Sequence, residues 1–362
     1  RYGDKMQSTA GIHFNISFSG SVIDSLGGDK DEIYLCACRN FLRIFPQVLR
    51  VIGASPVAHK SFIKDRDINA EFLNRTDCYL PKATSLRVSK LGYYSEEQEQ
   101  KFINFNSLKD YLEIIKYYIN VPNKRFKEIE IELANPKQIN NGTIQMESEL
   151  YNHIRPKGEF TTNERQYNQL KKGGINYLEL RSIDLNPYTA YGISQIEIEF
   201  LELLSIYCIL CGDEKIDPVE EIKIKENIRR ASESGQDCNL ICSFEKGDAE
   251  KNIKVLTQEL LESLESLSNA IGLKENHKNM FKEFYRRNEV PLSTQIIDDL
   301  SNNSIVNFIS SKSKKQNLNL SKEFLKKMSL EAKTSKKEYL DQQNKDKIDF
   351  ETFLENYRGE IN

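Results

Sequence analysis

Residues Gly174–Pro187 read "GINYLELRSIDLNP". Successive side chains of a strand point to opposite faces. Leu178 and Leu180 therefore share one face, while Tyr177, Glu179 and Arg181 share the other. The acid and the arginine lie about 7 Å apart along the strand. A strand at the surface could carry any polar residue there, and a strand in the core would carry none.

Working outward, residues 11–18, "GIHFNISF", alternate in the same way. Ile12, Phe14, Ile16 and Phe18 form one face; His13, Asn15 and Ser17 form the other, which predicts a half-buried strand. Further strands are expected over 127–133 ("KEIEIEL"), 143–151 ("TIQMESELY") and 175–184, with turn signals at Asn135-Pro136 and Asn141-Gly142. Residues 30–52 read as an amphipathic helix that stops before "GASP". Residues 107–119 read as a helix with Ser107 as its N-cap. Residues 60–100 read as irregular, and 193–211 as an apolar helix. Beyond Asp213 the pattern is almost wholly helical and increasingly charged. The fold class is α+β: a mostly antiparallel sheet carrying polar groups, followed by a helical C-terminal part. The organisation expected is a sheet region over 1–213 and a helical region over 214–362.

The chain has 362 residues, 39% hydrophobic and 29% charged, with a net charge of −3. That supports a large core and gives no basic footprint for nucleic acid. No apolar run is long enough to span a bilayer. Seven cysteines, an odd number scattered over a long chain, point to reduced thiols and a cytoplasmic location. Cys208 and Cys211 form a C-x-x-C inside an apolar helix with no second pair at zinc spacing; they read as core thiols, as do Cys36 and Cys38.

Alternation places three polar sets on strand faces: His13 with Asn15, Glu179 with Arg181, and Glu147 with Glu149 and Tyr151, the last running on to Arg155. Each has a plain reading. A strand histidine is commonly a surface or satisfied core residue, an acid–arginine pair a cross-strand salt bridge, and alternating glutamates a wet face. Taken together they admit another reading. Carboxylates and an imidazole hold Mg²⁺ or Mn²⁺ beside phosphates, and arginine matches phosphate or carboxylate with a planar fork. No G-x-x-x-x-G-K-[ST] is present, so a P-loop is unsupported.

Five blocks decide between these readings. "RYGDKMQSTAGIHFN", "GASP", "YLPKATSLRVSKLGY", "ESELYNHIRPK" and "GGINYLELRSIDLNPY" follow one another over about residues 1–211. In order and rough spacing they resemble the bacterial glutamate–cysteine ligase family of the proteobacterial type. The resemblance implies a glutamine-synthetase-like curved antiparallel sheet, with ATP and metals on its concave face. It implies ATP-dependent joining of the γ-carboxylate of L-glutamate to the amine of L-cysteine through a γ-glutamyl phosphate, the first step of glutathione biosynthesis. By similarity, His13 and Glu179 would be metal ligands for Mg²⁺ (Mn²⁺ as an alternative), and Arg181 would hold the transferring phosphoryl group. Arg87 would clamp a substrate carboxylate, with Gln7 and Asn15 as nearby polar contacts. Tyr93, Tyr151 and Arg155 would line the cysteine site.

The family also carries an acidic E-x-E strand and a Tyr-Arg pair ahead of the block that opens this chain. Glu130 and Glu132 spell E-x-E but follow the wrong blocks. The expectation is therefore a ligase lacking its N-terminal part, inactive by itself. Two alternatives stand beside it: a catalytically silent relative with a binding or regulatory role, and a related carboxylate–amine ligase acting on another amine.

Overall fold

In a computed structural model the opening stretch becomes the middle of a sheet. Strand β6 (Tyr177–Ile183) pairs antiparallel with β1 (Ile12–Ile16) on one side and β5 (Ile154–Lys157) on the other. The structure describes residues 8–64, 70–92, 94–99, 103, 105–129, 137–161, 164–242, 249–300, 303–315, 320–345, 348–359 and 361. Leu178 and Leu180 are both 1% exposed and belong to the main hydrophobic cluster. The alternation thus sends the leucines inward and leaves the Glu179 row on the opposite face.

Against the apolar face packs α1 (Lys30–Ile52). Asp29 caps it, accepting from the Asp31 amide. Its buried Tyr34, Cys38, Phe41, Phe45, Val48 and Ile52 recur at three- and four-residue intervals, forming one continuous stripe. Helix α2 (Leu108–Asn120) is capped by Ser107, whose Oγ accepts from the Asp110 amide (3.0 Å), and α3 (Gln195–Leu210) opens on a capping box formed by Ser194 and Glu197. Helices α4 (Pro218–Ser234) and α5 (Ile253–Ala270) also lie on α1, and α6 (Lys278–Glu289) stacks Phe284 on Phe200 of α3 at 4.0 Å. The main apolar cluster draws side chains from both sides of residue 213. No helix among the described residues is long and apolar enough to cross a membrane.

Several expectations need correction. The strand expected over 143–151 does not form: Glu147–Glu149 is a 3-10 turn. Glu147 is buried and accepts from Arg165 Nε and Nη2 (3.2 Å each), while Glu149 turns back to accept from the Gln145 amide (2.6 Å). Both carboxylates serve structure, Glu147 through a distant arginine and Glu149 within its own turn, and these partners override the alternation. The strand expected over 127–133 begins in a helical turn, Lys124–Lys127, and its later residues, with Glu130 and Glu132, lie outside the described residues. The segment read as irregular supplies β3 (Glu71–Phe72) and β4 (Asp77–Tyr79) to a small antiparallel sheet whose first strand, β2 (Val57–His59), lies just before it, in the order β2-β4-β3. A hairpin, β7 (Asn239–Ile241) with β8 (Glu250–Asn252), interrupts the helical C-terminal part. Cys36, Cys38 and Cys208 are buried as expected, but Cys211, at the C-cap of α3, is only half-buried.

Candidate active site on the sheet face

Glu179 is the centre of the polar face. It is 8% exposed and sits directly opposite Asn15 of β1 and Arg155 of β5, so the three side chains form one row across the sheet. Arg181 Nη1 donates to Glu179 Oε2 at 2.9 Å. Lys157 Nζ lies 3.6 Å from the same oxygen and donates to Gln166 Oε1 at 2.9 Å. The other carboxylate oxygen, Oε1, faces His13 Nδ1 at 3.3 Å.

Asn15 is the cross-strand partner of Glu179, and His13, two residues before it on the same face, reaches Glu179 diagonally; the β1–β6 register shifts between Ile12 and Phe14.

Charge sets the protonation states. Burial alone would raise the Glu179 carboxyl, but Lys157 and Arg181 outweigh it and hold it below the usual carboxylate range. Burial lowers His13, and Arg181 lowers it further against the opposing pull of Glu179, so the ring is neutral near pH 7. Burial also lowers Lys157, with Glu179 opposing. Among the described residues, this buried carboxylate faces three cations, Arg155, Arg181 and Lys157. A cluster of positive charge on a rigid, half-buried face suits an anionic ligand.

Arg87 enters from the loop after β4. It is 9% exposed, and its Nη2 donates to the carbonyl of Arg181 at 2.8 Å. Its guanidinium packs on Gly11, where a Cβ would come within 2.3 Å of Cζ. Its Nε and Nη1 are buried and make no hydrogen bond among the described residues. Arg155 is 1% exposed, and its Nη2 donates to the Ser148 carbonyl at 3.1 Å. Tyr151 is half-buried and lines a cavity of about 580 Å³ together with Val88, Ser89, Lys90 and Asn152. Its amide donates to Gln98 Oε1 at 2.7 Å. Gln7 and Tyr93 lie outside the described residues.

Two residues of this neighbourhood are not among those the sequence singles out. Lys157 ends "YNHIRPK", and its two-residue spacing from Arg155 on β5 is the available signal for a shared face. Asp184 follows β6 in the opening stretch and lies 3.5 Å from Arg87 Nη1; no periodicity distinguishes it from a loop acid.

Just before β5, His153 is half-buried, with its ring turned inward. Its Nδ1 bonds Ser182 Oγ at 2.7 Å, and its ring packs on Phe45 at 4.8 Å. Burial lowers it to about 4, with Arg87 adding to the effect. An unfolded histidine titrates near 6.5, so between about pH 6.5 and pH 4 the unfolded chain binds a proton that the folded chain refuses. Stability is therefore lost as pH falls through that window, by at most roughly 3 kcal/mol at its acid end. Urea unfolding of the protein and of His153→Asn at pH 7 and pH 4.5 checks this: the variant should lose less on acidification, and parallel losses would show that His153 is not held neutral.

The family model for glutamate–cysteine ligase matches residues 1–231. A glutamate–cysteine ligase of Wigglesworthia glossinidia brevipalpis is 35% identical over 298 residues, covering 79% of this chain and 58% of the relative. One of Vibrio vulnificus is 36% identical over 252 residues, covering 66% and 48%. The chain thus spans about half the length of these relatives. Among solved structures, a glutamate–cysteine ligase from Francisella tularensis in complex with AMP superposes with a TM-score of 0.89 at 24% identity, over 98% of this chain and 73% of that one. A bifunctional glutathione synthetase from Pasteurella multocida gives 0.62 at 20% identity, over 87% and 37%. The likeness to the solved structures is one of fold, and the α+β architecture with its antiparallel sheet is that of the Francisella enzyme. Ordered blocks, the polar row around Glu179 and a family match over most of the chain lead to one assignment: the chain belongs to the glutamate–cysteine ligase family.

Proposed function

We propose that the full-length protein joins L-glutamate to L-cysteine at the expense of ATP. The observation that carries this, within a chain of this family, is the polar face itself: an ionised Glu179 flanked by Arg155, Arg181 and Lys157 and a neutral His13. The AMP bound to the Francisella relative is the reason to take an adenine nucleotide as the anion.

A carboxylate and a triphosphate repel one another, and bringing them together requires fixed positive charge. Arg181 would offer its fork to the transferring phosphoryl group. The glutamate γ-carboxylate oxygen attacks the terminal phosphorus of ATP, and ADP leaves. The cysteine amine then attacks the acyl carbon of the γ-glutamyl phosphate, the C–N bond forms and inorganic phosphate leaves. Arg87 would clamp the α-carboxylate of glutamate with its guanidinium, whose Nη2 is already anchored on the Arg181 carbonyl. Asn15, exposed on the same face, and Gln7 would add polar contacts. Tyr151, with Tyr93, would border the cysteine site. Arg155 is too enclosed to offer an open hydrogen-bonding face and would supply fixed charge from behind Glu179.

A divalent cation fits this donor set in part. Glu179 is ionised and His13 neutral, the states in which both ligate, and Mg²⁺ commonly takes one or two protein ligands and completes its shell with phosphates and water. Among the described residues no third His, Cys, Asp or Glu joins them. Mg²⁺ held by His13 and Glu179 would neutralise phosphate charge; Mn²⁺ suits the same donors.

The test is ADP release by the full-length protein with purified substrates in the presence of Mg²⁺. Release should require both glutamate and cysteine. Equal turnover with another amine in place of cysteine would sink the specificity, and nucleotide binding without release under any amine would indicate a silent relative.

A further inference from the structure

We propose that Asp184 is a positioning residue for Arg87, acting both through the backbone that carries the arginine and through its charge. This rests on Arg87 serving as a substrate clamp.

Asp184 directly follows β6 and is 4% exposed. Its Oδ2 accepts from the Ala54 amide at 3.0 Å and from Ser55 Oγ at 2.7 Å. Ser55 Oγ in turn accepts from the Arg87 amide at 3.3 Å. Ser55 also accepts the Leu86 amide at its carbonyl (2.7 Å) and donates its own amide to the Thr84 carbonyl (3.3 Å). A single carboxylate oxygen therefore ties "GASP" and "TSLR" to the end of the strand that carries Glu179 and Arg181. The second oxygen, Oδ1, makes no hydrogen bond among the described residues and faces Arg87 Nη1 at 3.5 Å. The guanidinium is thus bounded on three sides: the Arg181 carbonyl takes Nη2, Gly11 packs against it, and Asp184 attracts Nη1 as an ion pair. An arginine held this way has lost its rotamer freedom before substrate arrives, which is the condition for tight, oriented binding.

Asp184 spends one oxygen on the two loops and leaves the other opposite the Arg87 guanidinium. The neutral amide of Asp184→Asn keeps the shape and removes the attraction. Ser55→Ala cuts the link to the Arg87 backbone and leaves the charge.

The experiment is a double-mutant cycle in the full-length protein, with Arg87→Lys, Asp184→Asn and the pair, read as KM and kcat for each substrate and as Tm. Asp184→Asn should raise the KM of the substrate that Arg87 serves about tenfold, with kcat changing far less. The pair should be little worse than Arg87→Lys alone. Ser55→Ala should shift the same KM in the same direction and serves as the second variant if Asp184→Asn does not fold. Fully additive losses, or an equal rise in KM for every substrate alongside a fallen Tm, would overturn the positioning role. Which KM moves in Arg87→Lys tests the clamp separately: if it is that of ATP, glutamate recognition by Arg87 fails while the coupling to Asp184 is still decided by the cycle.

Discussion

Replacing Arg181 with lysine should lower kcat for ADP release about a hundredfold or more in the full-length protein, with Tm nearly unchanged. Lysine keeps the charge and loses the planar fork. In the folded chain Nη1 of Arg181 is engaged by Glu179 at 2.9 Å, which fixes the plane of the guanidinium and so the direction in which the fork meets an incoming phosphate. A lysine ammonium drawn to Glu179 would lie on the carboxylate instead of spanning from it to the ligand. Near-normal turnover in Arg181→Lys would remove this residue from phosphoryl transfer and leave it as half of a salt bridge.

The second large effect is expected at Glu179. Glu179→Gln preserves the shape and deletes the anion that faces Arg155, Arg181 and Lys157. Breaking an enclosed ion pair by removing one partner costs about 3 kcal/mol. Stability measured by denaturant should fall accordingly. The concentration of Mg²⁺ giving half-maximal rate should rise about tenfold or more, because the charged ligand is gone and the cations remain. The two readouts separate the roles. Loss of stability with an unchanged Mg²⁺ requirement would make Glu179 a structural counter-ion; a changed requirement at unchanged stability would mean that the surrounding cations are satisfied elsewhere.

Much of this site is legible in the amino-acid sequence. The strands at 12–16 and 177–183 lie where alternation places them, and helices Lys30–Ile52 and Leu108–Asn120 begin at the capping residues their sequences supply. "TIQMESELY" shows the limit. Its glutamates alternate as in a strand, yet Glu149 folds back on Gln145 within a turn and Glu147 is claimed by Arg165, eighteen residues on, a contact that no local pattern encodes. Lys157 and Asp184 are hard to read for a related reason: each is a single charged residue whose meaning lies in what faces it.

By itself, then, the sequence determined which side chains share the Glu179 face, because a two-residue period is a local steric property of any extended chain. It also carried the ordered blocks that mark the family. Only the tertiary structure decided what those side chains meet. The pairing of β1 with β6 brings His13 to Glu179, the pairing of β5 with β6 brings Arg155 and Lys157 to the same carboxylate, and the loops held by Asp184 deliver Arg87. Those meetings join residues far apart in the chain, so they depend on register and packing, which are settled by burial of the whole core and not by any one segment's preference.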